Sequence, residues 1–147
     1  MKYDKYYVEA SRSFLKFEFY SEGPKGKIKK QVVFKPFEDN PTVFNLGFGD
    51  VDATGEINDT AITNNQDSQK VLATVALTVY KFYEKHSNCY VFATGSTKTR
   101  TRLYRMGVAN NLEEIRNDFE VFGFIRKSWE PFEKDRDYEA FLIKKKR

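Results

Sequence analysis

The sequence predicts a single α+β domain over residues 1–147: a mostly antiparallel sheet packed on two main helices, in the order β-β-β-(β)-α-β-α-β-β. Three observations predict it. Aromatic and β-branched runs alternate with glycine and proline turn signals through the first third of the chain. Residues 69–85 contain no glycine or proline, and from Val71 to Tyr80 they carry no charge on any side. A short apolar run then leads into a second helical stretch, and two β-favouring runs close the chain.

In order along the chain, residues 14–20 and 28–37 read as strands joined through 21–26, where Gly23, Pro24 and Gly26 supply turn chemistry for a hairpin with a longish loop. Residues 42–48 form a third strand, with Val43, Phe44, Leu46 and Phe48 among its apolar members. Gly55 marks a turn, and 56–62 reads as a short edge strand. Asp67 or Ser68 suits the N-cap of a helix over 69–85. Its uncharged middle predicts burial on most sides, with Val71, Leu72, Val75, Leu77 and Val79 in the core. Valines at i, i+4 spacing are poor helix formers individually, so packing must override propensity here.

Residues 86–88 end that helix and turn the chain into 89–93, whose apolar residues on both faces predict a central strand covered on each side. A second helix follows over 97–108, with a break at 109–111 and a short third helix over 112–118. Residues 119–125 and 138–143 read as the last two strands, separated by a polar loop with Pro131. Trp129 and Phe132 lie in that loop, as an exposed contact patch or a plug over the sheet edge.

A single cysteine, Cys89, excludes an internal disulfide and fits a reducing compartment, so the expected location is cytoplasmic. The first residues carry charge and aromatics without the apolar core of a signal peptide. The longest apolar stretch, 71–83, is interrupted by Thr74, Thr78 and Lys81 and falls short of the roughly 20 residues that span a bilayer. No membrane partner is therefore expected. The net charge of +4 is modest but segregated: residues 38–67 hold seven acids and no Lys or Arg, while Lys25, Lys27, Lys29, Lys30 and Lys35 form a block without acids. Such segregation steers partners rather than specifying a fold.

The most informative feature is the junction after the central strand. Thr94, Gly95, Ser96 and Thr97 lead into a helix carrying Lys98, Arg100, Arg102 and Arg105, with no acid between them. A strand that opens a helix through Gly-Ser-Thr presents backbone N–H groups and the positive end of a helix dipole, a place for an anion. Lys98, Arg102 and Arg105 recur near i, i+4 and i+7, on one helical face, with Arg100 to one side. Gly95, Ser96, Thr97, Lys98, Arg100, Arg102 and Arg105 are therefore the candidate anion or nucleic-acid site. A Thr or Ser capping its own helix is the competing reading. The nucleotide-binding phosphate loop is not spelled out, because its first glycine and four-residue spacer are missing.

Other motifs carry less. Asp50, Asp52, Thr54, Gly55 and Glu56 follow the start of a calcium loop, but Ala61 stands where a bidentate Glu belongs, so an Asp-rich β-turn is the better reading and no metal is expected. His86, alone at a helix end, suits the helix dipole better than base catalysis. No catalytic residue and no cofactor are predicted. The partners implied are nucleic acid or an acidic protein, with a homo-oligomer as a further expectation.

Two resemblances bear on this. The run from Phe44 through Asn45, Leu46, Gly47, Phe48 and Gly49 to Asp50, the Asn-Asn-Gln-Asp-Ser-Gln-Lys-Val-Leu-Ala-Thr-Val run from Asn64, and Thr101-Arg-Leu-Tyr resemble a family of small bacterial proteins of unknown function. The element order after Thr42 is similar to the second half of GCN5-related acetyltransferases, with Leu103-Tyr104 and Gly107-Val108 resembling the signature of their last helix, one residue short. That resemblance implies a coenzyme A pyrophosphate loop at 61–68 and Tyr104 as general acid. The loop here has no glycine and no basic residue, so active acetyl transfer is the alternative rather than the leading expectation.

Overall fold

The structure, a computed structural model, describes residues 3–58 and 64–146. Nine strands and three helices are described: β1 (Glu9–Ala10), β2 (Lys16–Gly23), β3 (Gly26–Pro36), β4 (Val43–Val51), β5 (Ile57–Asn58), α1 (Ser68–Lys85), β6 (Tyr90–Ala93), α2 (Lys98–Asn110), α3 (Leu112–Asp118), β7 (Phe119–Ile125), β8 (Ser128–Pro131) and β9 (Ala140–Lys145). They form one sheet in the order β1-β2-β3-β4-β6-β9-β7-β8, with β5 added to the far end of β4. All neighbours are antiparallel except β4 and β6. The α+β class and element order expected from the sequence hold.

The β2–β3 hairpin is tighter than its glycines and proline suggest: Gly23 pairs with Gly26, so Pro24 and Lys25 alone make the turn. Asn65, fully buried, fixes it from outside. Its Oδ1 accepts from the Lys25 N–H at 2.8 Å and its Nδ2 donates to the Gly26 carbonyl at 2.9 Å. A Cβ on Gly23 would sit 2.1 Å from the Asn65 carbonyl oxygen, so only glycine admits this approach. The expected edge strand at 56–62 is the two-residue β5; residues 59–63 lie outside the described residues.

One face of the sheet carries Phe17, Phe19, Val32, Phe34, Phe44, Leu46, Phe48, Val91, Phe141 and Ile143, all buried. All three helices cover this face. Phe82 of α1 stacks on Phe34 at 4.5 Å and meets Phe44 edge-on at 5.1 Å. Tyr83 donates its hydroxyl to the Ile143 carbonyl at 2.9 Å, tying α1 to β9. Leu77, expected in the core, is half-buried: it stands two residues beyond Val75 and so about 200° around the helix. Thr74 and Thr78 are fully buried instead, because their hydroxyls donate within the helix to the Lys70 and Val75 carbonyls.

The opposite face has no helix over it among the described residues. The central strand β6 is therefore not covered on each side as expected: Val91 and Ala93 are buried, whereas Tyr90 and Phe92 are half-buried on the open face. Trp129, expected in a loop, belongs to β8, where it pairs with Phe124. Phe132 is the plug of that pair, fully buried against Tyr138 and Phe141.

Candidate functional site

The site is set by the one parallel pair. Strands β4 and β6 are in register only over Val43 with Tyr90, Phe44 with Val91 and Asn45 with Phe92. Beyond that β4 runs on to Val51, while the chain leaves β6 at Ala93 and turns into α2. The strands part, and a hollow of about 240 Å³ opens between them, lined by Asn45, Gly47, Gly95, Ser96, Arg100 and Tyr104 among others. Outside the junction lies a groove of about 750 Å³ along α2, lined by Lys98, Arg102, Arg105, Asp137 and Glu139. Thr94, Gly95 and Ser96 border both. Ligands of open sheets settle at the C-terminal ends of parallel strands, which is where the two hollows meet.

Hydroxyls knit the junction together. Thr97 has extended backbone at the N-cap, and its Oγ1 accepts from the Arg100 N–H at 3.2 Å. The Thr101 hydroxyl donates to the Thr97 carbonyl at 3.0 Å, and Thr101 Oγ1 accepts from the Gly95 N–H at 3.2 Å. Part of the helix start is thus satisfied by its own side chains. Gly95 serves this packing: a Cβ there would lie 2.3 Å from the Thr101 nitrogen and 2.7 Å from the Arg100 carbonyl carbon. The glycine brings the loop down onto the first turn of α2.

The four basic residues do not share one surface. Lys98 and Arg102 are exposed on the groove, and Arg105, half-buried, forms an ion pair with Asp137. Arg100 is only 6 % exposed and lines the inner hollow. Asp137 and Glu139, from the loop before β9, put carboxylates on a groove that the local sequence presents as purely basic. Thr94 holds that loop in place, its hydroxyl donating to the Glu139 carbonyl at 2.8 Å.

The start of α1 is built differently. Asp67 is its N-cap but makes no capping bond. Its carboxylate instead accepts from the Tyr6 and Ser21 hydroxyls, both at 2.6 Å. The Tyr6 N–H donates to Thr74 Oγ1 at 2.9 Å, and Lys70 lies over the Tyr6 ring. Burial, and then the Asp67 hydrogen bond, push the Tyr6 phenol above its ordinary value. The chain's own N-terminal segment is therefore bound to the first turns of α1 through Asp67 and Thr74.

The remaining candidates are structural. Asp52 Oδ1 accepts from the Thr54 N–H at 2.9 Å and its hydroxyl at 2.5 Å, closing an Asx turn; the Thr54 hydroxyl foremost holds the Asp52 carboxyl below the usual range. Asp50 is turned away to Lys30. Among the described residues no three His, Cys, Asp or Glu side chains are grouped to hold a metal ion. His86 caps α1, its ring stacked on Phe82 and its Nε2 2.9 Å from the Ser13 carbonyl oxygen. Burial pushes the Cys89 thiol up, away from the reactive thiolate.

A family model matches residues 2–146, nearly the whole sequence. The chain belongs to a family of unknown function (DUF6934). Membership agrees with the resemblance carried by residues 44–50, 64–75 and 101–104 and brings no activity with it. No curated protein and no solved structure matches the chain. No described helix is long and apolar enough to cross a membrane.

Proposed function

We propose that this chain is a noncatalytic interaction module of the bacterial cytoplasm that receives an anionic partner, nucleic acid or an acidic protein, at the β6–α2 junction. The observation that carries the reading is the placement of Lys98 and Arg102. Both reach solvent on the wall of the groove, at the mouth where the parallel strands part. Ser96, Thr97 and Gly95 border the same mouth, and Arg105 reaches it while tethered to Asp137. Arg100 supports the junction from inside. A partner's phosphate that displaced Asp137 would recruit Arg105 as a third contact.

The test titrates the wild type and the triple variant K98Q/R102Q/R105Q with single-stranded and duplex oligonucleotides at two salt concentrations. The expected result is weaker binding by the variant and a shallower fall of affinity with salt, since each lost phosphate contact removes about one unit of salt slope. Equal affinity of the two proteins would overturn the site. No binding of nucleic acid by the wild type would leave the acidic protein as the partner.

A second reading, acetyl transfer, is favoured by one observation: β4 and β6 part beside Tyr104, which is 8 % exposed and borders the hollow. Against it stands the filled start of α1. Calorimetric titration with acetyl-coenzyme A decides it, since saturable heat supports the enzyme and none removes it.

A further inference from the structure

We propose that the open face of the sheet is a self-association surface on which a second copy of the chain packs sheet against sheet. Among the described residues five large hydrophobic side chains are exposed, and three of them lie on this face: Tyr20, Phe37 and Trp129 at 51, 37 and 42 %. Aromatic contacts join Phe37 and Trp129, with their half-buried neighbours Phe92 and Phe124, into one cluster, while Tyr20 stands apart on β2. Phe37 meets Phe92 at 5.7 Å, Phe92 meets Trp129 at 6.2 Å, and Trp129 meets Phe124 at 5.1 Å. Val33, Phe122 and Leu142 extend the apolar surface along β3, β7 and β9. Alternation places all of them opposite the buried residues that face the helices.

The size fits a second copy. Six strands from β3 to β8, about 4.8 Å apart and about six residues deep at 3.3 Å each, give a footprint on the order of 500 Å². Side-chain relief brings the accessible area towards the roughly 800 Å² that each partner contributes to a standard interface. Two such faces pack about 10 Å apart with their strands rotated by about 30°, the geometry of a sandwich.

Charge selects the same occupant over a nucleic acid. Most charged side chains flanking the cluster on this face are matched within the chain, with Lys16 and Lys35 standing exposed beside them: Lys29 pairs with Glu18 at 3.0 Å, Lys27 with Glu22 at 3.6 Å, and Lys144 stands opposite Glu120 in the β7–β9 register. An apolar centre inside a rim of largely cancelled charge is complementary to itself, and offers few unmatched lysines to phosphates.

Trp129 is the single tryptophan and reports on the face directly. Sedimentation across a concentration series should give twice the chain mass, with Trp129 emission moving to shorter wavelength as dimer forms. Trp129→Glu should raise the dissociation constant by on the order of tenfold or more, because it puts a charge into the aromatic cluster of each copy. Trp129 is exposed, so the variant's unfolding should stay cooperative. Phe124→Lys, at the same cluster, serves as a second variant. A wild type that is monomeric at every concentration, or dimers equally stable in both variants, would overturn the proposal. So would a monomer whose Trp129 emission is quenched by single-stranded oligonucleotide, which would make the face a platform for bases.

Discussion

The two long helices begin in opposite ways, although both pack on the same face of the sheet. At α1 the start is sealed: Asp67 is spent on Tyr6 and Ser21, Asn65 is buried in the adjoining turn, and the N-terminal segment lies across the top. At α2 the start is capped by its own Thr97, with the Thr101 hydroxyl bonded back to the Thr97 carbonyl, and Lys98 and Arg102 stand at the edge of an open groove. Where the helix continues, the contrast widens. α1 buries nine residues against the sheet and its neighbours, whereas α2 buries two, Arg100 and Tyr104. One helix start belongs to the scaffold and the other borders an open groove.

The comparison breaks most visibly at Val75, which is 7 % exposed in the middle of α1. Val75→Asp should abolish cooperative unfolding at ordinary temperature, since an unpaired buried charge costs several kcal/mol against a total stability of about 5 to 15. A melting curve like that of the wild type would show that α1 is not the buried helix. A smaller effect belongs to the seal. Asp67→Ala takes away the acceptor of the Ser21 hydroxyl and the nearer of the two acceptors of the Tyr6 hydroxyl, and should cost about 1 to 3 kcal/mol in denaturant unfolding. An unchanged midpoint would mean that the N-terminal segment does not hold α1.

Alkali probes the same helix more gently. Burial pushes the Tyr80 phenol up to about 12, with Asp118 and Glu114 adding to it, and it raises Tyr6 as well. These groups hold their protons more tightly folded than unfolded, so their contribution is complete below the unfolded value near 10. It is lost as pH rises from about 10 through about 12. The melting temperature should therefore fall over that window, and less steeply in Tyr80→Phe; identical slopes would remove Tyr80 from the account. The smallest effect is expected at the other helix start. K98Q/R102Q/R105Q should change stability by no more than about 0.5 kcal/mol, because exposed charges and a surface ion pair contribute little. A larger loss would make that surface part of the scaffold.

What could be read from the sequence was what local chemistry decides. The bounds of α3 and β7 follow from the Asn110-Asn111 break and the aromatic run after Asp118, and both are found where expected. The turn signals and the uncharged helix likewise act over a few residues. Trp129 was placed in a loop because its strand exists only through pairing with Phe124 across the Arg126-Lys127 turn, where both residues adopt left-handed backbone. The β4–β6 pairing joins residues more than forty positions apart, so the hollow it creates left no local signal. Nor did Asp137, which reaches Arg105 from 32 residues away and tempers a groove that reads as basic when only 98–105 are in view. Spacing alone put Arg100 beside its neighbours, and the inward turn of that side chain depends on where β4 lies.

Lys30 is 1 % exposed, and its ammonium meets the Asp50 carboxylate at 2.5 Å on the helix-covered side of the β3–β4 hairpin. Around it Val32 faces Phe48 and Phe34 faces Leu46. Apolar pairs of this kind are interchangeable: if β3 slid by two residues so that Val32 faced Leu46 and Phe34 faced Phe44, both would still meet an apolar side chain on the correct side. Lys30 is not interchangeable in this way. After such a slide it would face Phe48 in place of Asp50, with a buried ammonium that costs several kcal/mol to leave without its carboxylate. The ion pair thus works as a length marker on an otherwise repetitive ladder, rejecting the misaligned hairpins that hydrophobic matching alone would accept, and it fixes where β4 ends relative to the strand it must leave to open the hollow.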